Sequence, residues 1–291
     1  MAALLSSFRE VILIDADVLF FTDPTTLFSD SEYSRTGALF FRDRLLSPTS
    51  TQKKVIEDSL PEPLSPNVLA NRWYLGTSFH VQESGVVVID KWRHFVALLL
   101  TTRLNGPDRN GDEATGKKGV YQMMHGDKET FWLSWEMAGD QDYAFHDGQA
   151  GVVGALASKS TIVTVAAGGQ AEKYDEKAIG KEEMCGKQLL HTTRDGRPLW
   201  FNGWIAVNKD WANHLTAFQE FRGFITEPHE SVNDGRPFEE FWRKWEVHDG
   251  NLLCLPGENY TTLSAGESKT MDMILRTATE VSSDLSSSSD R

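Results

Sequence analysis

Glu10-Val11-Ile12-Leu13-Ile14-Asp15-Ala16-Asp17 couples an apolar, β-branched run to two carboxylates spaced by one residue. The run predicts a buried strand of a mostly parallel sheet, covered on both faces. At the end of such a strand, Asp15 and Asp17 can ligate one hard divalent cation, because open α/β sheets place their ligands at that edge. A pair of this kind arises about once by chance in a chain this long. Asp140-Gln141-Asp142, set in polar sequence that ends a helix, reads as that chance pair. Two charges beside a buried strand cost free energy unless a cation compensates them. The plainer alternative is a solvated strand end with a capping aspartate.

Working outward, short apolar runs predict further strands at 37–41, 85–89, 151–156, 161–166, 188–191 and 200–207. Apolar residues at helical spacing predict a helix over 91–104, ended by Asn105-Gly106-Pro107. A second helix is expected over 128–138, with Asp127 as N-cap and Glu129 in its first turn. The aromatic stretch 238–245 reads as an amphipathic helix. Four prolines between Leu45 and Asn71 suggest a surface excursion with one helical turn. Strands alternating with helices make an α/β domain over 1–281, followed by a disordered Ser-rich tail at 282–291.

The 291 residues, 40% hydrophobic, suffice for one large domain or two small ones. A formal net charge of -13 argues against nucleic acid as partner, since that affinity rests on Lys and Arg neutralising phosphates. It leaves a nucleotide-sugar ligand open, because a bound cation screens a diphosphate locally. No segment is long and apolar enough to span a membrane, and no signal peptide is apparent. Cys185 and Cys254 fit no metal spacing; they are either buried thiols or one disulfide.

Three further constellations carry potential chemistry. His191, before Thr192-Thr193-Arg194-Asp195-Gly196-Arg197-Pro198-Leu199-Trp200, could complete a metal site, with the basic residues meeting phosphate; a structural histidine explains the same position. In His125-Gly126-Asp127-Lys128-Glu129, Asp127 could bind sugar hydroxyls and Lys128 a phosphate, or the stretch could simply start a helix. Gln82-Glu83-Ser84-Gly85 could turn Glu83 toward a substrate, or be a turn.

Taken together, Val11 to Phe20, Thr36 to Arg44, Gln82 to Lys91, Gly126 to Trp132 and His191 to Trp204 resemble the fungal α-1,3-mannosyltransferase family of Golgi glycosyltransferases. The resemblance implies a GT-A-like nucleotide-diphospho-sugar transferase sheet flanked by helices. It implies retaining transfer of mannose from GDP-mannose to a mannoside acceptor on the lumenal side of the Golgi membrane. Manganese or another divalent ion would sit at Asp15, Asp17 and His191 and stabilise the leaving nucleotide. Asp127 and Lys128 would contact the donor sugar or phosphate, and Glu83 would lie near the reacting carbon. His191 resembles a third ligand that precedes a Gly-x-Pro-Trp-like stretch, varied here to Gly196-Arg197-Pro198-Leu199-Trp200.

The resemblance also implies several strands and a membrane anchor upstream, whereas fourteen residues precede Asp15. The chain is therefore expected to be a fragment lacking its N-terminal strands and most of the base-binding half. Two rival readings are a haloacid-dehalogenase-like phosphatase with Asp15 as nucleophile, and a non-catalytic carbohydrate-binding remnant stacking sugars on its nine tryptophans.

Overall fold

The computed structural model describes residues 2–49, 51–158, 182–186, 188–203, 205, 220–227, 246–248 and 252–289. The strand expected at 161–166 and the helix expected at 238–245 lie outside these residues. Contacts divide the chain into two compact units, residues 1–16 with 23–147, and residues 17–22 with 148–291. The chain opens with α1 (Ala2–Leu5), β1 (Glu10–Ile14) and β2 (Val18–Phe20). β1 belongs to the first unit and β2 to the second.

The first unit continues with α2 (Ser31–Thr36), β3 (Ala38–Arg42), α3 (Thr51–Ser59), α4 (Pro66–Leu69), α5 (Arg72–Leu75), β4 (Gln82–Asp90), α6 (Phe95–Leu104), α7 (Thr130–Met137) and β5 (Ala144–Phe145). Its sheet runs β1-β4-β3-β5. β1 and β3 both pair antiparallel to β4, and only β3 with β5 is parallel. The expectation of a mostly parallel sheet is thereby corrected. So is the burial of β1: it is an edge strand with Glu10 and Ile14 exposed, while all nine residues of β4 are buried. An apolar run reports burial and leaves pairing direction open, and a central antiparallel strand covered on both faces reads the same.

Phe40, Val87 and Ile89 of the sheet form one core with Trp73 of α5 and Phe131, Trp132 and Trp135 of α7. Trp73 and Trp132 meet edge-on at 5.6 Å, as do Phe40 and Trp135 at 5.2 Å. α2 ends on Gly37, whose φ of 80° permits the left-handed cap from which β3 departs. The region 45–71 holds two helices, α3 and α4, instead of one turn. α6 begins at Phe95, after a turn in which Asp90 accepts hydrogen bonds from the backbone of Trp92 and Arg93.

The second unit adds β6 (Ala150–Gly154), β7 (Ala157–Ser158), β8 (Glu182–Gly186), β9 (Leu189–Thr192), β10 (Pro198–Asn202), β11 (Gly223–Thr226), β12 (Glu246–His248), β13 (Leu252–Pro256), β14 (Thr261–Thr262) and α8 (Ala265–Ser289). They build a sheet ordered β14-β11-β6-β9-β10-β2 and another ordered β12-β13-β8-β7. The pairings described in both are antiparallel. Cys185 and Cys254 stand opposite each other on β8 and β13 and are joined as a disulfide.

The backbone of α8 is helical through Ser289, into the stretch expected as a tail. Its start is a reciprocal cap: the Ser264 N–H donates to the Glu267 carboxylate, and the Glu267 N–H donates to Ser264 Oγ. Met271 then packs on Phe201 and Phe224 of the larger sheet. No helix among the described residues is long and apolar enough to cross a membrane.

Candidate active site

Within the first unit, β3 and β4 change register between Leu39 and Phe41, so that Phe41 stands opposite Glu83. Asp43 follows the strand, and its N–H donates to the Val81 carbonyl at 3.0 Å. Glu83 thus becomes the diagonal neighbour of Asp43 on the same face of the ladder. Lys128, from the loop before α7, reaches both: Nζ lies 2.6 Å from Asp43 Oδ2 and 2.8 Å from Glu83 Oε2. Both acids are 1% exposed, and the Lys128 side chain is 22% exposed.

The surroundings fix the two acids. The Arg44 N–H donates to Asp43 Oδ1 at 2.7 Å, with Arg44 Nε 3.6 Å away. The Arg72 guanidinium donates to the Asp43 carbonyl at 2.5 Å, and the Gly85 N–H to Glu83 Oε1 at 3.1 Å. Burial pushes the Asp43 carboxyl up, but the charges of Lys128, His80 and Arg44 outweigh it and hold it well below the usual range. Burial, reinforced by the charge of Asp43, raises Glu83 despite Lys128. Burial lowers Lys128, yet the two carboxylates prevail and raise it. One ammonium therefore serves two carboxylates of unequal proton affinity, with Glu83 first to take a proton.

Asp127 borders this cluster, accepting from Ser84 Oγ at 2.9 Å. It does not cap α7 with its side chain as expected; α7 begins at Thr130, whose N–H and hydroxyl bond the Asp127 carbonyl. Glu129, expected to oppose the helix dipole, is buried and receives the Val81 and Gln82 N–H groups and Trp132 Nε1. It ties the start of α7 to the end of β4 that carries Glu83. His80 Nδ1 lies 3.6 Å from Glu129 Oε1, and its ring meets exposed His125 at 5.7 Å.

The structure therefore brings together Glu83, Asp127 and Lys128 from two segments far apart in sequence. The reading of the sequence missed Asp43, Arg72 and His80. A signal for Asp43 existed, an acid between two arginines at a strand end in Arg42-Asp43-Arg44. Lys128, expected to meet phosphate, already has two carboxylate partners.

Asp15 stands at the exit of β1, its N–H donating to the Gly85 carbonyl at 2.9 Å, and Asp17 precedes β2; both are exposed. Their hard carboxylate oxygens suit a divalent cation of the manganese or magnesium kind. His191 does not join Asp17. It is 2% exposed on β9, its ring stacked on Trp200 at 4.0 Å. Trp200 in turn pairs with Phe20, two strands from His191 and three residues beyond Asp17. Strand spacing and rise put the backbones of Asp17 and His191 roughly 14 Å apart. Arg197 is also engaged elsewhere, paired with Glu267 and lying over the Phe224 ring at 5.2 Å.

Asp140 faces His94 Nδ1 at 2.7 Å, a structural pair as its sequence context suggests. Among the described residues, Glu183, Cys185 and Cys254 are close enough to hold one ion, but the disulfide takes the two sulfurs. Trp73, Trp132, Trp135 and Trp200 are fully buried core residues, which leaves the sugar-stacking reading without these four platforms.

The model of a family described as "Mannosyltransferase putative" matches residues 1–193, the span holding Asp15, Asp17, Asp43, Glu83, Asp127, Lys128 and His191. Among curated proteins, "Putative alpha-1,3-mannosyltransferase MNN15" of Candida albicans is 31% identical over 222 residues, 72% of this chain and 26% of that protein. "Alpha-1,3-mannosyltransferase MNT2" of Saccharomyces cerevisiae is 27% identical over 230 residues, 72% of this chain and 37% of that protein. The chain thus spans roughly a quarter to two fifths of the length of these relatives. The phosphatase alternative finds no support among these matches. With most of its length matched by one family model, the chain belongs to the mannosyltransferase family.

Proposed function

We propose that this chain carries the sugar-handling and metal-binding residues of an α-1,3-mannosyltransferase that moves mannose from GDP-mannose to a mannoside acceptor with retention of configuration. The observation that carries the reading is the meeting of Glu83 and Lys128, with Asp127 alongside on Ser84, in one cluster that is buried at Glu83 and open at Lys128. Carboxylates and an ammonium held at fixed spacing are suited to reading sugar hydroxyls, since each offers directed, charge-assisted hydrogen bonds.

In this reading Asp127 accepts from a hydroxyl of the transferred sugar. Lys128 donates to a neighbouring one. Glu83 lies nearest the reacting carbon, its negative charge tempered by Lys128 and able to stabilise positive charge that develops there. Asp15 and Asp17 would hold manganese, which neutralises the leaving nucleoside diphosphate when bound. His191 supports the larger sheet of the second unit by stacking on Trp200.

The disulfide between Cys185 and Cys254 supports an oxidising compartment, in keeping with the Golgi lumen.

The test is transfer of labelled mannose from GDP-mannose to an α-mannoside by the purified chain, with and without manganese, and assignment of the product linkage by NMR. A donor- and manganese-dependent α-1,3 product supports the reading. A folded chain that gives none, alone and when extended to the length of its relatives, sinks it.

A further inference from the structure

We propose that Asp43 is a positioning residue of this site: its buried carboxylate fixes the Lys128 ammonium beside Glu83, so that the remaining ammonium proton is presented to a substrate hydroxyl. The inference rests on the sugar-transfer reading above and assigns a role to a residue that the reading does not use.

Asp43 is held at every polar group. Its N–H bonds the Val81 carbonyl, its carbonyl accepts from Arg72, and Oδ1 accepts from the Arg44 N–H. Oδ2 then takes Lys128 at 2.6 Å. With its polar groups so engaged, Asp43 cannot itself bind a sugar. Lys128 can, because its side chain is 22% exposed, but it hangs from a loop and its stem has four rotatable carbons. An ammonium has three donors; among the described residues Asp43 and Glu83 occupy two, and the third is left for a ligand.

The register change in β3 and β4 is what makes this arrangement. Above it, Ala38 pairs with Ile89 and Leu39 with Val88; below it, Phe41 pairs with Glu83 and Arg42 with Gln82. Had the first register continued, Asp43 would fall opposite Ser84, and Glu83 would point to the other face of the sheet. Such irregularities re-aim side chains next to functional sites. Two buried carboxylates around one ammonium also stabilise a fold less well than apolar side chains would, so placement of the lysine is the use they serve.

The experiment compares wild type with Asp43→Asn, which keeps size and the acceptor for Arg44 but removes the charge. With 15N-labelled lysine, the wild-type Lys128 ammonium should give a slowly exchanging NMR signal, and Asp43→Asn should lose it while the fold persists. In the transfer assay, kcat should fall about 10- to 100-fold with KM for GDP-mannose changed less than about 3-fold, as expected when a group is misplaced and donor binding is kept. A purely structural Asp43 would lower stability and leave kcat of the folded protein unchanged, which overturns the proposal. So does a wild-type Lys128 ammonium that exchanges as fast as surface lysines, whether or not any variant folds. If wild type transfers no mannose, alone and when extended to the length of its relatives, the functional reading fails, and the ammonium signal in Asp43→Asn alone decides whether Asp43 positions Lys128.

Discussion

Lys128 Nζ lies 2.8 Å from Glu83 Oε2, an ion pair between the loop ahead of α7 and the fully buried strand β4. Forty-five residues separate the two in sequence. Together with Asp43 they form a buried ionic core on which both the stability and the proposed chemistry of the first unit depend.

Lys128→Met removes the cation from two buried acids, and breaking a buried pair from one side costs about 3–5 kcal/mol. Urea unfolding should show a loss of this size at neutral pH.

The pH dependence follows from the directions of the shifts. Asp43 is lowered from an ordinary value of 3.8, so its contribution is present above that pH and lost as pH falls through its depressed value. Glu83 is raised from 4.5, so its contribution is present below that value and lost as pH rises through the raised one. Lys128 is raised from 10.5, so its contribution lasts to that pH and disappears as pH climbs through its higher value. Asp43→Asn should therefore flatten the acid limb of the urea midpoint against pH below about 3.8. An acid limb as steep as that of wild type would show that Asp43 contributes nothing by its charge.

Asp15→Ala and Asp17→Ala change exposed side chains and should shift stability by less than about 0.5 kcal/mol. Calorimetric titration of manganese in the presence of GDP-mannose should saturate for wild type and give no heat for the double variant. Equal heats in both would move the metal elsewhere.

Cys185 and Cys254 close a loop 69 residues in sequence separation, for which chain entropy gives about 4 kcal/mol of stabilisation. Replacing both with serine should lower the urea midpoint of the second unit, with a ceiling near that figure. Reduction of wild type with dithiothreitol should reproduce the same shift.

At the start of α8, Glu267 both caps the helix and pairs with Arg197. Glu267→Ala should cost about 1–2 kcal/mol through the lost cap and pair. Met271→Ala, which empties a core position beside Phe201 and Phe224, should cost about 2–5 kcal/mol. The two effects, measured by thermal unfolding, should order in that way.

The sequence by itself determined the strand 10–14 leading to Asp15 and Asp17, the presence of β3 and of the apolar half of β4, and the break after α6 at Asn105, and it named Glu83, Asp127 and Lys128 as candidates. Those readings rest on local periodicity, turn residues and short motifs, which lie within a few residues of one another. Tertiary structure alone decided that β1 is an edge strand antiparallel to β4, since hydrophobic runs record burial and leave pairing direction open. It alone withdrew His191 into a sheet against Trp200 and turned Asp127 from a helix cap to a partner of Ser84. It alone brought Asp43 to Lys128, because that contact depends on the β3–β4 register change, which no pattern within either strand announces.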